Sequence, residues 1–156
     1  MTTANHLRLI DGLCTREFPS ERVVQGSGVS GPGFHTVYLH GEEVQRGQED
    51  GDAEQQPDAD EAEWVERRAS CLAAYDALST LLTLRWGAPD VVSLWSARER
   101  MTAGEEIAEP WADPVASCEY LLLWRVGERW IALVLHGQEQ GLGCELSALV
   151  TQVDPP

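Results

Sequence analysis

The C-terminal third of the chain most restricts the fold, because two apolar runs are separated there by only two residues. Glu119 to Val126 and Arg129 to His136 are rich in branched and aromatic side chains, as β-strands are. Gly127-Glu128 fits a two-residue hairpin in which glycine supplies the positive φ of a type II′ turn. With a third run at Glu145 to Val153, the sequence predicts an antiparallel three-stranded meander.

The tight turn fixes the register of the hairpin and so predicts which side chains share a face. Val126 is expected to pair with Arg129. The first face then carries Tyr120, Leu122, Trp124, Ile131, Leu133 and Leu135. The second face carries Leu121, Leu123, Arg125, Trp130, Ala132 and Val134, with the Arg125 guanidinium stacked on the Trp130 indole. Because both faces are apolar, each has to be covered by a helix, a loop or a second subunit.

A long amphipathic helix is predicted from about Asp60 to Trp86. Its apolar stripe follows the helical period at Val65, Leu72, Tyr75, Leu78, Leu82 and Trp86. Gly87 stands where a left-handed C-cap residue belongs, and Pro89 prevents the helix from continuing. We expect this helix to lie across the first face of the sheet.

The remaining segments predict shorter elements. These are a helix capped by Thr3 and running to about Glu17, and strands at Arg22 to Gln25 and Phe34 to His40. Asp90 either caps a helix through about Ala103 or precedes a strand at Val91 to Leu94, and the sequence leaves both open. Ile107 to Pro114, with two prolines, is predicted to be irregular.

Acidic charge is concentrated in one segment of the chain. The net charge is −15 over 156 residues, and residues 41–63 hold ten carboxylates and one arginine, a net of −9 that leaves −6 for the rest. With little to bury, this segment predicts a mobile acidic loop at about 41–60. We expect one domain, 1–156, of the α+β class: a mostly antiparallel sheet packed by the long central helix and the N-terminal helix.

All eleven basic side chains are arginine, and the lack of lysine excludes several kinds of chemistry. A Schiff-base nucleophile, a P-loop and an amine general base all require a lysine. No serine lies in a G-x-S-x-G motif, and the paired carboxylates fall mostly in segments expected to be solvated. We therefore expect no catalytic residue and no cofactor, and predict that the chain is not an enzyme.

One glycine motif and two histidines are features that could indicate a ligand or metal site. Gly26 to Gly31 matches G-x-G-x-x-G, but it leads into a predicted strand rather than a helix, so a flexible hairpin loop without a ligand is the better interpretation. His35 and His40 are an odd number of residues apart, which predicts opposite faces of a strand and no shared metal. We expect no metal site.

Four cysteines, Cys14, Cys71, Cys118 and Cys144, lie far apart without a Cys-x-x-Cys pair. In a reducing compartment they predict buried apolar thiols, and two disulfides remain possible if the chain is exported. No signal-like segment or membrane-length apolar run is present, so we expect a cytoplasmic protein without a membrane partner. Nucleic acid is also disfavoured, since no large basic cluster exists to hold phosphates.

Several segments resemble a set of small, uncharacterised actinobacterial proteins. The resemblance lies in LSTLLTLRWGAP from Leu78, then EPWADP, LLLWRVGERWIALVLHG and the closing LVTQVDPP, about the last half of the chain. It implies a cytoplasmic protein from a high-GC bacterium and carries over no catalytic residue.

Small size, acidity and surplus apolar sheet surface favour a non-enzymatic interaction protein. An immunity-type inhibitor or a secretion-chaperone-like module would bind another protein, for which the acidity favours a basic surface, or a second copy of the chain. The residues expected to contact the partner are Trp95, Trp111, Leu121, Leu123, Arg125 and Trp130. The alternative is a small-molecule-binding domain or unrecognised enzyme whose pocket, between sheet and helices, is lined by Trp95, Trp111 and Tyr120.

Overall fold

The computed structural model describes residues 2–40, 57–136 and 144–156, and the side chains of 57–64 are not described. The helices are α1 (Thr3–Thr15), α2 (Pro57–Trp86), α3 (Trp95–Thr102) and α4 (Ala112–Ser117). The strands are β1 (Val23–Gln25), β2 (Gly28–Gly31), β3 (Phe34–His40), β4 (Asp90–Ser93), β5 (Tyr120–Val126), β6 (Arg129–His136) and β7 (Glu145–Thr151). The predicted acidic loop lies outside the described residues, except for 57–60, which belong to α2.

All seven strands form one antiparallel sheet in the order β1-β2-β3-β7-β6-β5-β4. The predicted α+β class and the C-terminal meander are confirmed. Val126 pairs with Arg129, and Gly127 in the turn has a φ of 62°. The register expected from the two-residue turn is therefore correct from Val126 and Arg129 to Leu122 and Leu133.

The first face of the sheet is buried under α1 and α2. Leu78 and Leu82 of α2 and Ile10 of α1 are at most 1% exposed and share one core with the sheet. That core includes Leu122, Trp124, Ile131, Leu133 and Leu135, as the predicted alternation requires, and it continues into Leu146, Ala148 and Val150 of β7. The long helix lies on the first face, as its apolar stripe predicted, but Val65 at the start of that stripe is 66% exposed.

The second face is covered by the chain itself, which corrects a central expectation. α3, α4 and Trp111 form a second core with Leu121, Leu123, Ala132, Val134 and Leu149. Leu121 is 1% and Leu123 3% exposed, so neither can contact a partner in the folded chain. Ile107 to Pro114 was expected to be irregular, but it contains an anchoring tryptophan and the start of helix α4, and these provide the unexpected cover.

Residues 90–102 form both of the structures that the sequence left open. Asp90–Ser93 is the edge strand β4, paired with β5, and Trp95–Thr102 is the helix α3. The main-chain N–H of Leu94 donates to Glu119 O at 2.8 Å, which ends the strand pairing directly before the helix starts.

The G-x-G-x-x-G stretch contains strand β2 rather than a flexible loop. Gly26, with a φ of 51°, makes the turn between β1 and β2. A Cβ at Gly28 would lie 2.8 Å from Thr36 O, and one at Gly31 would lie 2.5 Å from the Phe34 ring. The glycines therefore permit close strand packing, which accounts for the motif without a phosphate ligand.

Cys71 of α2 is disulfide-bonded to Cys144, the residue before β7, with a Cα–Cα distance of 6.0 Å. The expectation of four buried thiols is wrong for this pair, while Cys14 and Cys118 keep their thiols. Spacing along the chain could not reveal the pairing, because the two cysteines are 73 residues apart and meet only when α2 packs on the sheet. None of the described helices is long and apolar enough to cross a membrane.

Candidate functional site

Among the described residues, the helices leave a part of the second face beside β2 and β3 uncovered. A half-open groove of about 300 Å³ lies there between the two strands and residues 109–113. Its sheet side is formed by Val29, Phe34, Thr36 and Tyr38, and its other side by Arg22, Glu109, Pro110, Ala112 and Asp113. We call this the β3 groove.

Strand alternation places the sheet side of the β3 groove. Val29 of β2 pairs with Thr36 of β3, and Phe34 and Tyr38 lie two residues to either side of Thr36 on the same face. Phe34 is buried against Gly31, while the Thr36 and Tyr38 side chains are half-buried. The sheet side is thus an apolar base that carries two hydroxyl groups.

The opposite wall of the groove is held by Trp111. Its indole is 1% exposed, and Nε1 donates to Val153 O at 3.0 Å. Its main-chain N–H donates to Ala108 O at 2.9 Å, which closes the turn before α4. Trp111 is therefore a buried anchor that positions Glu109, Pro110 and Asp113, and not the partner contact expected from sequence.

Three charged groups stand at the mouth of the groove. Arg22 Nη1 lies 3.3 Å from Glu109 Oε1, and the two side chains are 61% and 59% exposed. Asp113, in the first turn of α4, is also exposed. With one guanidinium and two carboxylates, the mouth has a net charge of −1 at neutral pH.

The other residues expected at a site lie elsewhere. Trp95, 63% exposed on α3, is open to a partner. The Arg125 guanidinium lies 4.5 Å from the Trp130 ring, as predicted, and Trp130 Nε1 donates to Asp154 Oδ1 at 3.2 Å. These two side chains form a surface pair at the end of the hairpin.

The pocket expected between Trp95, Trp111 and Tyr120 is not formed by those residues. Trp111 is buried, and Tyr120 interacts on the first face with Tyr75, whose pKa is raised by burial and by that neighbour. The observed groove uses residues that sequence reasoning passed over, because Arg22, Tyr38 and Glu109 belong to no motif. The alternation of side chains along β3, which puts Thr36 and Tyr38 on one face, is the sequence feature that could have indicated these residues.

His6, His35 and His40 make structural contacts within the described residues. A bulge between Tyr38 and His40 breaks the strand alternation, so His40 approaches α2, with Nε2 3.1 Å from Ser70 Oγ. The prediction that His35 and His40 lie on opposite faces therefore fails. Burial lowers the pKa of His6, His35 and His40, which favours neutral rings. No group of three or more metal-ligating side chains occurs in the part of the chain that the structure describes.

Comparison with known proteins supplies no relative. No protein-family model matches the chain, no curated protein matches it, and no solved structure matches it. The resemblance to small actinobacterial proteins therefore stays a prediction from sequence. Function has to be argued from the geometry of the chain.

Proposed function

We propose that this chain is a non-enzymatic protein-binding module that takes a basic side chain of its partner into the β3 groove. The observation that carries the proposal is the contact between Arg22 and Glu109 at the mouth of the groove. A guanidinium of the chain itself already occupies the position that we assign to an arginine or lysine of the partner.

The groove suits the two parts of a basic side chain. Lysine and arginine have apolar stems and charged ends, and they bury the stem while the charge stays near water. Val29, Phe34 and Pro110 offer apolar surface to the stem, and Glu109 and Asp113 offer carboxylates to the charged end. Charge-assisted hydrogen bonds to carboxylates are stronger than neutral ones.

The existing ion pair does not prevent entry of a partner. Exposed ion pairs contribute about 0–1 kcal/mol, so Arg22 can be displaced from Glu109 at little cost. The net charge of −15 attracts a cationic protein over long range and increases the rate of encounter. An immunity-type inhibitor or a secretion-chaperone-like module, the roles expected from sequence, could each use such a groove.

A titration followed by amide NMR tests the proposal. The probe is a capped Gly-Gly-Arg-Gly-Gly peptide, and its control is the same peptide with citrulline, which keeps the shape and removes the charge. We expect saturable shift changes at Thr36, Tyr38 and Asp113 with the arginine peptide only. Equal shifts with citrulline, or shifts confined to other acidic surfaces, would contradict the proposal.

Two double variants separate the groove from general acidity. Glu109→Gln with Asp113→Asn should weaken peptide binding about tenfold, because two charge-assisted contacts are lost. Glu99→Gln with Glu128→Gln removes the same charge from exposed positions outside the groove and should leave the affinity within about twofold. Equal weakening by both pairs would mean that only net charge matters.

A second candidate is a domain that binds a small cationic molecule. It is favoured by the size of the groove, about 300 Å³, at the lower end of the roughly 300–1,000 Å³ typical of ligand pockets. Agmatine, an arginine side chain with an amine end, distinguishes the two. Tighter binding of agmatine than of the peptide would favour a small ligand, or a substrate if the chain is an unrecognised enzyme.

The cytoplasmic location expected from sequence also remains a proposal. Disulfides are typical of oxidising compartments, so the Cys71–Cys144 bond is unexpected in a reducing cytoplasm. Acid-quenched extraction followed by thiol labelling measures the state of this pair in cells. A fully oxidised pair would argue against the cytoplasm, and a reduced pair would support it.

A further inference from the structure

Three side chains that play no part in the β3 groove meet where α4 ends beside the last residue of β6. His136 Nδ1 lies 3.0 Å from Ser117 Oγ and 3.4 Å from Cys118 Sγ. Ser117 is exposed, His136 is half-buried, and Cys118 is 4% exposed. A thiol, an imidazole and a hydroxyl are thus within contact distance at the edge of the fold.

The hydrogen bonds place His136 between the hydroxyl and the thiol. Ser117 Oγ also donates to Asp113 O at 2.8 Å and lies 3.7 Å from Cys118 Sγ. Which group donates in the two contacts of His136 Nδ1 depends on the ring tautomer. An imidazole in contact with a thiol can take up its proton, which leaves the thiolate, the nucleophilic form of cysteine.

Arg98 adds a hydrogen-bond donor on the other side of Cys118. Its guanidinium donates to Cys118 O through Nη2, and Nε donates to Val115 O at 3.0 Å. Carbonyls at the end of a helix repel negative charge, and Arg98 offsets two of them here. Among the described residues, the neighbouring carboxylates Asp113 and Glu119 are both exposed.

We propose that Cys118 is a thiol modification site, held by His136 in a state that reacts with small hydroperoxides. The Cys118 thiolate attacks the terminal oxygen of the hydroperoxide, an S–O bond forms, and the O–O bond breaks. The proton that His136 takes from the thiol passes to the departing oxygen, which leaves as water or an alcohol. The thiol is oxidised to sulfenic acid and the peroxide is reduced.

Cys14 provides an internal comparison with the opposite properties. It is more exposed than Cys118, but burial and the nearby Asp11 raise the pKa of its thiol. If exposure alone set the reaction rate, Cys14 would react first. The proposed role of His136 predicts that Cys118 reacts first, so the order of modification distinguishes the two explanations.

The experiment measures alkylation of the native full-length chain by iodoacetamide, without reductant, with peptide mass spectrometry to assign each site. Cys14→Ser and Cys118→Ser variants isolate the two thiols. At pH 7 we expect Cys118 to react about tenfold faster than Cys14. In denaturant the two rates should become equal. Hydrogen peroxide followed by dimedone then tests for sulfenic acid at Cys118.

Variants of His136 show whether the imidazole is responsible. His136→Ala should slow Cys118 about tenfold at pH 7 and move its pH–rate midpoint upward. His136→Asn, whose amide donates from about the place of Nδ1 without charge, should restore part of the rate. Ser117→Ala should not slow the reaction, because His136 Nδ1 then contacts the sulfur alone. Circular dichroism checks that each variant folds.

Three results would overturn the proposal. One is a Cys118 rate equal to or below that of Cys14 in the native chain. Another is a rate and a pH midpoint unchanged by His136→Ala in a folded variant. The third is that Cys118 is alkylated but is not captured by dimedone after peroxide treatment. Cys118 would then be an accessible thiol that does not react with peroxide.

Discussion

Arg129, at the start of β6, donates from Nη1 to the main-chain oxygen of Leu13 in α1 at 2.8 Å. The same guanidinium lies 4.2 Å from the centre of the Phe18 ring. One side chain therefore joins the N-terminal helix and the segment after it to the C-terminal hairpin. The two partners are 116 residues apart in the chain.

Replacing Arg129 should loosen this junction. Arg129→Met keeps much of the apolar stem and removes both the hydrogen bond to Leu13 and the contact with Phe18. We expect a loss of about 1–3 kcal/mol in the free energy of unfolding, measured by urea denaturation. Arg8→Met, at an exposed position of α1, is the matched control and should change stability by less than about 0.5 kcal/mol. Equal losses of stability in the two variants would show that Arg129 is not a specific link between these segments.

Breaking the disulfide should destabilise the chain more strongly. The Cys71–Cys144 bond closes a loop of 73 residues, for which loop-closure entropy predicts about 4 kcal/mol. Dithiothreitol should lower the melting temperature of the wild-type chain. It should have no further effect on a variant with Cys71→Ala and Cys144→Ala, and a reductant effect on that variant would point to other bonds.

Stability should fall as pH decreases below about 6.5, the ordinary pKa of histidine. Burial lowers the pKa of His6, His35 and His40 in the folded chain, so the unfolded chain binds more protons in the window below the ordinary value. The stabilisation is complete above the ordinary pKa of histidine and is lost as pH falls toward the lowered pKa values of the folded chain. Urea midpoints between pH 8 and pH 5 measure this.

His6→Gln isolates one contribution to the pH dependence. His6 Nε2 donates to Leu39 O at 3.0 Å, and Nδ1 is buried without a protein partner among the described residues. A glutamine amide can keep the donor and cannot gain a proton. The variant should therefore lose less stability between pH 8 and pH 5 than the wild type does. An unchanged slope would exclude His6 as a source.

Two tryptophans that looked alike in sequence should behave differently. Trp111→Ala removes a buried ring and its hydrogen bond to Val153, with an expected loss of about 3–5 kcal/mol. Trp95→Ala, at a 63% exposed position, should cost less than about 1 kcal/mol. Thermal melting compares them directly. A large effect of Trp95→Ala would imply contacts that the folded chain does not show.

Local rules predicted the parts of the fold that depend on short-range geometry. The two-residue turn at Gly127 set the register from Val126 to Arg129, and the helical period placed Leu78 and Leu82 against the first face. Both depend on residues close in sequence. The cover of the second face depends instead on Trp111 reaching Val153, a contact over 42 residues that no local pattern contains.

The candidate site was harder to predict for the same reason. Arg22 and Glu109 are 87 residues apart, and neither has a neighbour that marks it as part of a groove. Cys118 was noted only as one of four separate cysteines and His136 only as the end of a strand, and the packing of α4 beside β6 brings them together. Residue type could nominate these side chains, but the tertiary structure decides which of them meet.

The place of β7 in the strand order affects how the chain is made in the cell. This strand ends at Thr151, yet it lies between β3 and β6 and supplies Leu146, Ala148, Leu149 and Val150 to both cores. Until β7 has been synthesised, strands β1 to β3 and strands β4 to β6 can form only two separate sheets, each with an unpaired edge. A nascent chain therefore cannot complete its hydrophobic interior before β7 is available, and protection of those two edges by cellular chaperones would matter during that interval.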